Sequence, residues 1–487
     1  MGIYQGSKLM SGGGGGPSPY EIAKQNGYPG TEQEFNQLLT ALDQNATKGE
    51  LSNKADLVNG KVPESQLPST GGFKPQIIVT APTGSTVTAT LDSKTYTATE
   101  SSGTWTFDVD KYGVYTVTAT LGADTASKEV EINVVKQYAV EFTFLHIYGV
   151  TWDGTSSQAL TRTDDAAGFT DPVPYVAGAS SYGSPFDNLM PWAGMTKENR
   201  TGGVMVKIPK FWYKLTQSGN TLSIQIANTA VDGFSVCPAC MDRGDGNGER
   251  DAVYVGRYHC GANDYKSVTG VKPKAKVTRA GFRSSIHSLG SNIWQLDFAT
   301  RFTIWLLYIV EFANWNSQKT IGYGCSNESG TGNMGYTDSM PYHTGTMQSS
   351  RDTYGLGTQY RNIEGLWDNV YDWCDGCYNS SNGLMIILNP SSFSDSGGQS
   401  AGTPAGGWIA AWNVTTSSGF PMFINGGTSG GGENVAVGDK WQFNTSSTCV
   451  CVGGSNLSHG AYGLFYVGGD TATSAGSNIG SRVLELP

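Results

Sequence analysis

Residues 74–136 carry a pattern in which apolar and polar side chains alternate over short runs. Successive side chains of a β-strand point to opposite faces of its sheet, so each run predicts a strand with one buried face. Glycines separate the runs, as is typical of tight turns between short strands. The pattern predicts a small β-sandwich without a cluster of ionisable residues, which suits a spacer. The alternating apolar residues are Trp105, Phe107, Val109, Val117, Ala119, Leu121, Val130, Ile132 and Val134.

A longer period follows Asp297, where apolar residues recur every three or four positions. Side chains at this spacing lie on one face of an α-helix, which we expect to be the main core helix of the C-terminal part. Its most apolar run, residues 305–310, is far shorter than the ~20 residues that a membrane helix needs. Arg301 and Glu311 bracket that run, so we predict a buried helix. The residues on its apolar face are Phe298, Phe302, Trp305, Leu306, Ile309 and Phe312.

Two short helices are predicted near the start of the chain, after a Gly-rich segment that we expect to be flexible. Ser18 to Glu21 has the spacing of a capping box, with Pro19 at the first helical position. The same spacing recurs from Thr31 to Glu34. So small a helical pair buries little surface alone, and we expect it to dock on another subunit or another protein. Its apolar stripe consists of Phe35, Leu38, Leu39 and Leu42.

These patterns divide the chain into four parts, because the polar, Pro-punctuated stretch after the helices has no helical period and indicates an extended connector. The four parts are a flexible and helical attachment or trimerisation segment at 1–46, a linker at 47–73, the β-sandwich at 74–136 and a C-terminal module at 137–487.

The composition favours loop-rich β structure over a helical enzyme. The 487 residues include 66 Gly and 24 Tyr, but charged residues make up only 15%. The net charge of −10 and the lack of a basic stripe argue against nucleic acid as a partner. We also expect no secretion signal, since no charged start precedes an apolar run. A protein made in a bacterial cytoplasm and released by lysis fits these features.

Eight cysteines raise the question of metal or thiol chemistry. Cys237 and Cys240 form one Cys-x-x-Cys pair, and Cys374 and Cys377 form another. Four thiolates could hold a tetrahedral Zn²⁺, but disulfides and unpaired thiols remain as alternatives. Cys449 and Cys451 (the last two) are expected on one side of a strand as core or partly exposed thiols rather than catalytic groups.

An acidic, Gly-rich stretch at 242–249 spaces its oxygen-bearing side chains alternately and loosely resembles a calcium loop. A solvated hairpin turn is the alternative. We expect the protein to need no cofactor. Binding of Ca²⁺ by this stretch and binding of Zn²⁺ by the cysteines remain as alternatives. The candidate metal ligands are Asp242, Asp245, Asn247 and Glu249.

Ordered strings in the C-terminal part carry a family resemblance. They lie at 185–192, 208–213, 296–300, 311–316, 360–370, 453–455, 463–466 and 478–482. Together they resemble phage tail proteins with a C-type-lectin-like domain of the formylglycine-generating-enzyme type, a family that includes the variable proteins of diversity-generating retroelements. Residues 19–34 and 54–68 are similar to attachment and shaft segments of phage tail fibres. Residues 74–136 look like an immunoglobulin-like spacer.

The resemblance implies an α+β multidomain chain with short N-terminal helices, an immunoglobulin-like β-sandwich and a C-terminal C-type-lectin-like α+β domain. In this family the last strands and loops display a ligand-contacting face. The framework positions it implies are Gly454, Gly463, Leu464, Phe465, Asn478, Gly480 and Arg482. The displayed, ligand-binding positions it implies are Asn456, Leu457, Ser458, His459, Tyr462, Tyr466, Asp470, Thr471 and Ser474. Small polar groups and Tyr suit such contacts, since they combine adaptable hydrogen bonds with large contact area.

The expected function is a bacteriophage tail receptor-binding protein, an adhesin rather than an enzyme, that recognises a bacterial surface protein or glycan. We expect a homotrimer in the virion, at the tail tip or fibre, joined to other tail or baseplate proteins and without membrane insertion. The alternatives are an enzyme (a capsule depolymerase or a formylglycine-generating-type oxidase) and a structural tail component. Glu364, Asp368 and Asp372 lie among tryptophans, so we predict a structural rather than a glycan-cleaving role for them.

Overall fold

The computed structural model describes residues 19–25, 28–37 and 74–487, apart from residues 83, 102, 122–123, 155–156, 325–330, 356, 431, 433, 435, 447, 459 and 461. The chain divides into two compact units, Met1–Phe142 and Thr143–Pro487.

The first unit contains two four-stranded sheets, with strand orders β4-β5-β1-β8 and β3-β2-β6-β7. Along β5 and β6 every second residue is buried, which gives each sheet one apolar face. Val134 is exposed, since β7 ends before it. The strands are β1 (Gln76–Thr80), β2 (Thr86–Leu91), β3 (Lys94–Tyr96), β4 (Thr99–Ser101), β5 (Thr104–Asp108), β6 (Gly113–Leu121), β7 (Asp124–Ile132) and β8 (Gln137–Glu141).

Helix α1 (Pro19–Gln25) begins at the proline, and a second helical segment covers 32–37. The capping box predicted from Thr31 to Glu34 is confirmed, whereas Ser18, which begins the other predicted box, lies outside the described residues. Glu34 accepts hydrogen bonds from the N–H and hydroxyl groups of Thr31, and the Glu34 N–H donates to the Thr31 hydroxyl. Phe35 packs against the rings of Tyr20 and Tyr28. Leu38, Leu39 and Leu42 lie outside the described residues.

The second unit is built from short strands that pair with partners distant in sequence. Its described strands are β9 (Ile147–Trp152), β10 (Thr161–Asp164), β11 (Lys197–Arg200), β12 (Gly203–Pro209), β13 (Trp212–Ser218), β14 (Thr221–Ala227), β15 (Ser235–Val236), β16 (Ala252–Gly256), β17 (Ile293–Gln295), β18 (Gly345–Thr346), β19 (Thr358–Tyr360), β20 (Ile363–Glu364), β21 (Tyr371–Ser380), β22 (Gly383–Ile386), β23 (Gln399–Ser400), β24 (Gly407–Thr415), β25 (Met422–Ser429), β26 (Lys440–Trp441), β27 (Cys449–Val452), β28 (Val467–Asp470), β29 (Ile479–Gly480) and β30 (Val483–Glu485).

Four sheets result, and their strand orders are β10-β9-β14-β13-β15, β11-β12-β16-β30-β17, β18-β19-β20 and β23-β22-β21-β27-β28-β26-β24-β25, with β29 added beside β21. The described helices are α2 (Arg279–His287), α3 (Phe298–Phe312) and α4 (Ser317–Thr320), with 3-10 turns at Trp192–Gly194 and Pro390–Ser392. Strand β30 pairs with both β16 and β17, so the last strand of the chain is internal in its sheet.

The α+β fold class expected for the chain is wrong, including the α+β character of the C-terminal part. Strands account for 38% of the structure and helices for 11%, so the protein is mostly β. The helical period is strong around α3 but covers little of the chain. Elsewhere, short apolar runs between glycines become strands, and their pairing depends on distant segments that local periodicity does not reveal.

Helix α3 is the core helix predicted after Asp297, and this prediction is confirmed. All of its residues are buried. It packs against β9 and β14 of one sheet and against β21 of another, so both of its sides are covered. At its C-terminal end, the Arg162 guanidinium donates hydrogen bonds to the carbonyl oxygens of Val310 and Glu311. These bonds satisfy carbonyls that lack partners within the helix.

Asp297 begins helix α3 and also neutralises a buried charge. One carboxylate oxygen accepts a hydrogen bond from the Thr300 N–H at 2.8 Å, which makes Asp297 the N-cap. The other oxygen pairs with the buried guanidinium of Arg243. The side chain therefore joins the start of the helix to the 237–243 turn. None of the described helices is long and apolar enough to cross a bilayer.

We predict that Asp297→Ala destabilises the second unit by about 3–5 kcal/mol, because it leaves Arg243 buried without its counter-charge and removes a cap. Urea denaturation followed by tryptophan fluorescence measures the loss, since every tryptophan except Trp105 lies in this unit. Thr278→Ala is the matched control. Thr278 caps α2 through Gly281 without an ion pair, so its loss should cost only about 1 kcal/mol. Equal losses in both variants would contradict the assignment.

Candidate ligand-binding surface

A tight turn at residues 463–466 is stabilised by hydrogen bonds from its backbone to a buried carboxylate. Asp439 accepts hydrogen bonds from the N–H groups of Gly463 at 2.6 Å and Phe465 at 2.9 Å. Gly463 has no room for a side chain, because a Cβ there would lie 2.7 Å from the Ser317 hydroxyl oxygen and 2.9 Å from an Asp439 oxygen. The turn can therefore approach its supports only with glycine at this position.

Two side chains of helix α3 also donate hydrogen bonds to this turn. The Arg301 guanidinium donates to the Leu464 carbonyl oxygen at 2.7 Å, and the Trp305 indole N–H donates to it at 2.8 Å. The same Arg301 nitrogen also reaches the carbonyl oxygen of Leu366 at 3.0 Å. The turn is therefore part of the core, although it lies between two surface loops.

The loop that follows strand β27 presents one exposed apolar side chain on a fixed backbone. The Ser455 N–H donates to the Ser458 hydroxyl at 2.9 Å, and the Asn456 N–H donates to the Asn369 carbonyl at 3.0 Å. Between these anchors, Leu457 is 60% exposed. The Asn369 side chain also bonds both the N–H and the carbonyl of Gly332. Asn369 thus joins two neighbouring loops.

Three tyrosine rings with tilted planes form a cluster beside this loop. The Tyr462 ring lies 4.5 Å from the Tyr466 ring and 6.2 Å from the Tyr371 ring, centroid to centroid. Tyr466 is buried, and its hydroxyl donates to Gln442 at 2.9 Å, while the Tyr371 hydroxyl bonds Ser458 at 2.7 Å. Tyr462 is partly exposed, so the two supporting rings hold an accessible aromatic surface in place.

A separate polar turn follows strand β28. One Asp470 oxygen accepts from the Thr471 N–H at 2.8 Å and from the Ser474 hydroxyl at 2.6 Å. The antiparallel pairing of β27 with β28 places Asp470 beside Cys449, whereas the 453–466 loop leaves from the opposite end of this pair. Three residues of strand separate the two ends, which is roughly 10 Å. The predicted contact residues are therefore divided between two places.

The structure sorts the displayed positions by exposure. The exposed or partly exposed ones are Leu457, Tyr462, Asp470, Thr471 and Ser474. The buried ones are Asn456, Ser458 and Tyr466, which support the loops from within. His459 lies outside the described residues. We call the surface formed by Leu457 and Tyr462 the loop face.

The framework position Arg482 is the centre of a buried charge cluster behind these loops. Its guanidinium donates to Asp372 at 3.1 Å and to the carbonyl oxygens of Gly256 at 3.0 Å and Gly365 at 3.1 Å. His259 contacts the other Asp372 oxygen at 2.9 Å. Burial alone would raise the pKa of Asp372, but Arg482 and His259 hold it at about 2. The Asp372 carboxylate therefore stays ionised at neutral pH.

The remaining framework positions are also structural. Gly454, Leu464, Phe465 and Gly480 are buried, and the Asn478 carbonyl accepts from the Tyr371 N–H. Of the other carboxylates, Glu364 accepts from the N–H groups of residues 335 and 337, and Asp368 accepts from Thr358. Burial raises the pKa of Asp368 to about 6. Their oxygens face protein partners, in agreement with the structural role predicted for this segment.

The acidic stretch at 242–249 uses its oxygens on its own chain. Asp242 accepts from the Gly244 N–H, and Asp245 accepts from the Asn247 N–H while pairing with Arg250. Glu249 lies 4.0 Å from the Lys210 ammonium. Within the part of the chain that the structure describes, no group of three or more His, Cys, Asp or Glu side chains converges as a metal site. The geometry therefore matches a hairpin-like turn better than a calcium loop.

The described cysteines are free and buried, and Cys325 lies outside the described residues. Cys449 and Cys451 both point into one core cluster, as their spacing predicts for one side of a strand. Burial raises the pKa of Cys451 to about 12 and that of Cys374 well above its usual range. Such thiols stay protonated at neutral pH and are poor nucleophiles.

The sequence did not identify several of the residues that support the loops. Asp439 and Asn369 hold loops through backbone hydrogen bonds, and nothing in their local pattern marks them. Arg301 did give a signal, since a charged residue inside an apolar helix must find a partner when it is buried. Its partners are carbonyl oxygens far along the chain, which the sequence does not identify.

Comparison with known proteins adds no assignment. No protein-family model matches the chain, and no curated protein matches it significantly. The function is therefore inferred from the geometry of the loops and from the resemblance of the sequence strings to phage tail proteins.

We predict that a pH rise from about 4 to 7 lowers the stability of the second unit through Asp439. Burial raises the pKa of this carboxyl from 3.8 to about 7. The folded state therefore holds the proton over a range where the unfolded state has released it, so stability falls as the pH rises, by at most about 1.4 kcal/mol per pH unit for this group. Urea titrations at several pH values measure the slope.

Asp439→Asn should make that slope shallower, because the amide does not titrate, and the part that remains includes the contribution of Asp368, whose pKa burial also raises. Asp251→Asn is the control. Lys210 lowers the pKa of this exposed carboxyl, so its stabilising contribution is lost only below the usual carboxyl range and the slope above it should not change. An unchanged slope in Asp439→Asn would show that the carboxyl titrates at its ordinary pKa.

Proposed function

We propose that this protein is a bacteriophage tail receptor-binding protein that attaches the virion to a bacterial surface protein or glycan through the loop face. The resemblance of the sequence strings to phage tail proteins supports the biological setting. The tyrosine cluster under Tyr462, beside the exposed Leu457, is the observation that carries the binding role.

The tyrosine cluster suits recognition because its shape is set before a ligand arrives. A tyrosine that is already ordered loses little conformational freedom on binding, so more of its contact energy remains as affinity. Leu457 adds apolar surface, and fully burying a leucine is worth about 1.5–3 kcal/mol. One ring and one aliphatic side chain form a small contact area. Each single attachment is therefore weak.

Weak single contacts become firm attachment when several copies act together. We propose a homotrimer, in which the helices near the N-terminus join the subunits or dock on other tail or baseplate proteins. Linked sites convert the second binding event into an intramolecular one and raise avidity by roughly 10²–10⁴ without any new contact. The proposed location is the virion, at the tail tip or fibre, after synthesis in the host cytoplasm.

An adhesin needs no reaction chemistry at its surface. The thiols of Cys449 and Cys451 are buried, and the buried Asp372 carboxylate is paired with Arg482, so the arrangement supports binding rather than bond cleavage. We therefore propose a role without enzymatic activity. Release of sugar from purified host capsule on incubation with the protein would contradict it.

We predict that the labelled full-length protein binds cells of a subset of bacterial strains in flow cytometry, and that Leu457→Ser with Tyr462→Ala weakens this binding at least about tenfold. The substituted side chains are accessible, so the variant should fold normally. Unaltered urea denaturation verifies this. Absence of binding across a broad panel of strains would overturn the adhesin role.

The matched control is Leu145→Ser with Tyr112→Ala. These residues are 48% and 44% exposed, so the control removes the same two types of side chain from surfaces outside the loop face. Its cell binding should equal that of the unaltered protein. If the loop-face variant retains full binding while the protein still recognises cells, the receptor contacts another surface.

A further inference from the structure

A concave site is formed by residues outside the loop face. It encloses about 290 Å³ between strand β11 and the residues that follow strand β16. This volume is at the lower end of the range for small-molecule sites, about 300–1,000 Å³, and suits a ligand of one ring. The cavity is lined by Lys197, Asn199, Arg257, Tyr258 and Asp338, together with Val204 and with Glu198, whose carboxylate pairs with Arg200.

The floor of this cavity is a buried arginine whose position is fixed. The Arg257 guanidinium donates to the Gln359 side chain at 2.9 Å, to the Asn362 carbonyl at 2.6 Å and to the Tyr258 hydroxyl at 2.8 Å. A further nitrogen donates to the Thr337 hydroxyl at 2.9 Å. Because all of these partners belong to the protein, the floor needs no ligand to order it.

Asp338 forms the acidic wall and keeps an acceptor available. Its Oδ1 atom accepts hydrogen bonds from Tyr258 and, at 3.2 Å, from Arg257. Two hydrogen bonds are the usual number for one carboxylate oxygen. Its Oδ2 atom accepts only from the Thr269 hydroxyl, at 2.5 Å, among the described residues. The side chain is 40% exposed, so Oδ2 can accept one more hydrogen bond from a ligand.

Lys197 and Asn199 form the opposite wall and have unused hydrogen-bonding groups. They stand two residues apart on β11, which pairs on one side only, with β12. Side chains at this spacing point the same way from a strand. Both are exposed, and no hydrogen bond joins either side chain to another described residue. Together they offer ammonium donors, amide donors and an amide acceptor.

The chemistry of the two walls selects the ligand class. A phosphate or carboxylate would face the negative charge of Asp338, and a cation would face Lys197 and Arg257. A neutral molecule with several hydroxyl groups suits both walls, since each hydroxyl both donates and accepts. We propose that this cavity binds one residue of a neutral saccharide, with hydroxyls donating to Asp338 and bonding Asn199 and Lys197.

This site does not depend on the proposed role in attachment. A saccharide can bind here whether or not the loop face recognises cells, and the test below uses no cells. The two ideas therefore fail separately.

The test is saturation-transfer NMR on the full-length protein with the methyl α-glycosides of glucose, galactose and mannose as probes. Few hydrogen bonds and a small buried area predict a Kd on the order of millimolar for at least one probe. Lys197→Ala with Asn199→Ala should weaken that binding about tenfold, since the hydrogen bonds from both side chains to the ligand are lost. A second variant, Asn199→Arg, should also weaken it by filling the mouth of the cavity.

Lys111→Ala with Asn382→Ala is the control, because it removes an exposed Lys and an exposed Asn elsewhere and should leave binding unchanged. Tryptophan fluorescence during urea denaturation establishes that each variant is folded. Saturation transfer to none of the three glycosides would overturn the proposal. So would equal binding by the control and both cavity variants, or preferential binding of inorganic phosphate.

Discussion

A single buried guanidinium joins the core helix to the two segments that support the loop face. Arg301 donates to the carbonyl oxygens of Leu366 and Leu464 from a position without solvent contact. Removing such a group from water costs several kcal/mol, so the contact exists only where the surrounding fold fixes both acceptors. Burial lowers the pKa of Arg301 to about 10, which still leaves it charged at neutral pH.

The same strategy recurs around the site, where buried polar side chains bond the backbone of loops rather than their side chains. The Asp439 side chain holds the 463–466 turn, and the Asn369 side chain holds the loop at 332, while the Asn369 backbone carbonyl holds residue 456. Backbone groups are the same for every residue type except proline. Exposed side chains such as Leu457 and Tyr462 are therefore not needed to keep the loops in place, and a different ligand preference could arise there without refolding.

The sequence predicted well what depends on local order. The start of α3 at Asp297 and the capping box at Thr31 follow from neighbouring residues, and both are confirmed. The fold class was wrong because short strands such as β21 and β27 are defined by their pairing and not by period alone. For the site, the family strings indicated the region, but exposure had to come from tertiary structure. Tyr466 looks like a contact residue in sequence, yet it is buried as a support for Tyr462.

The position of strand β30 affects how the protein is made. Arg482, just before this strand, reaches back 226 residues to Gly256, and β30 itself fills the gap between β16 and β17. Until the ribosome has added residues 482–485, no strand lies between β16 and β17, and the Asp372 carboxylate lacks its main counter-ion, Arg482. The second unit therefore completes its fold only after translation has passed this point. A truncated product would expose an open sheet, which makes it a substrate for chaperones and proteases.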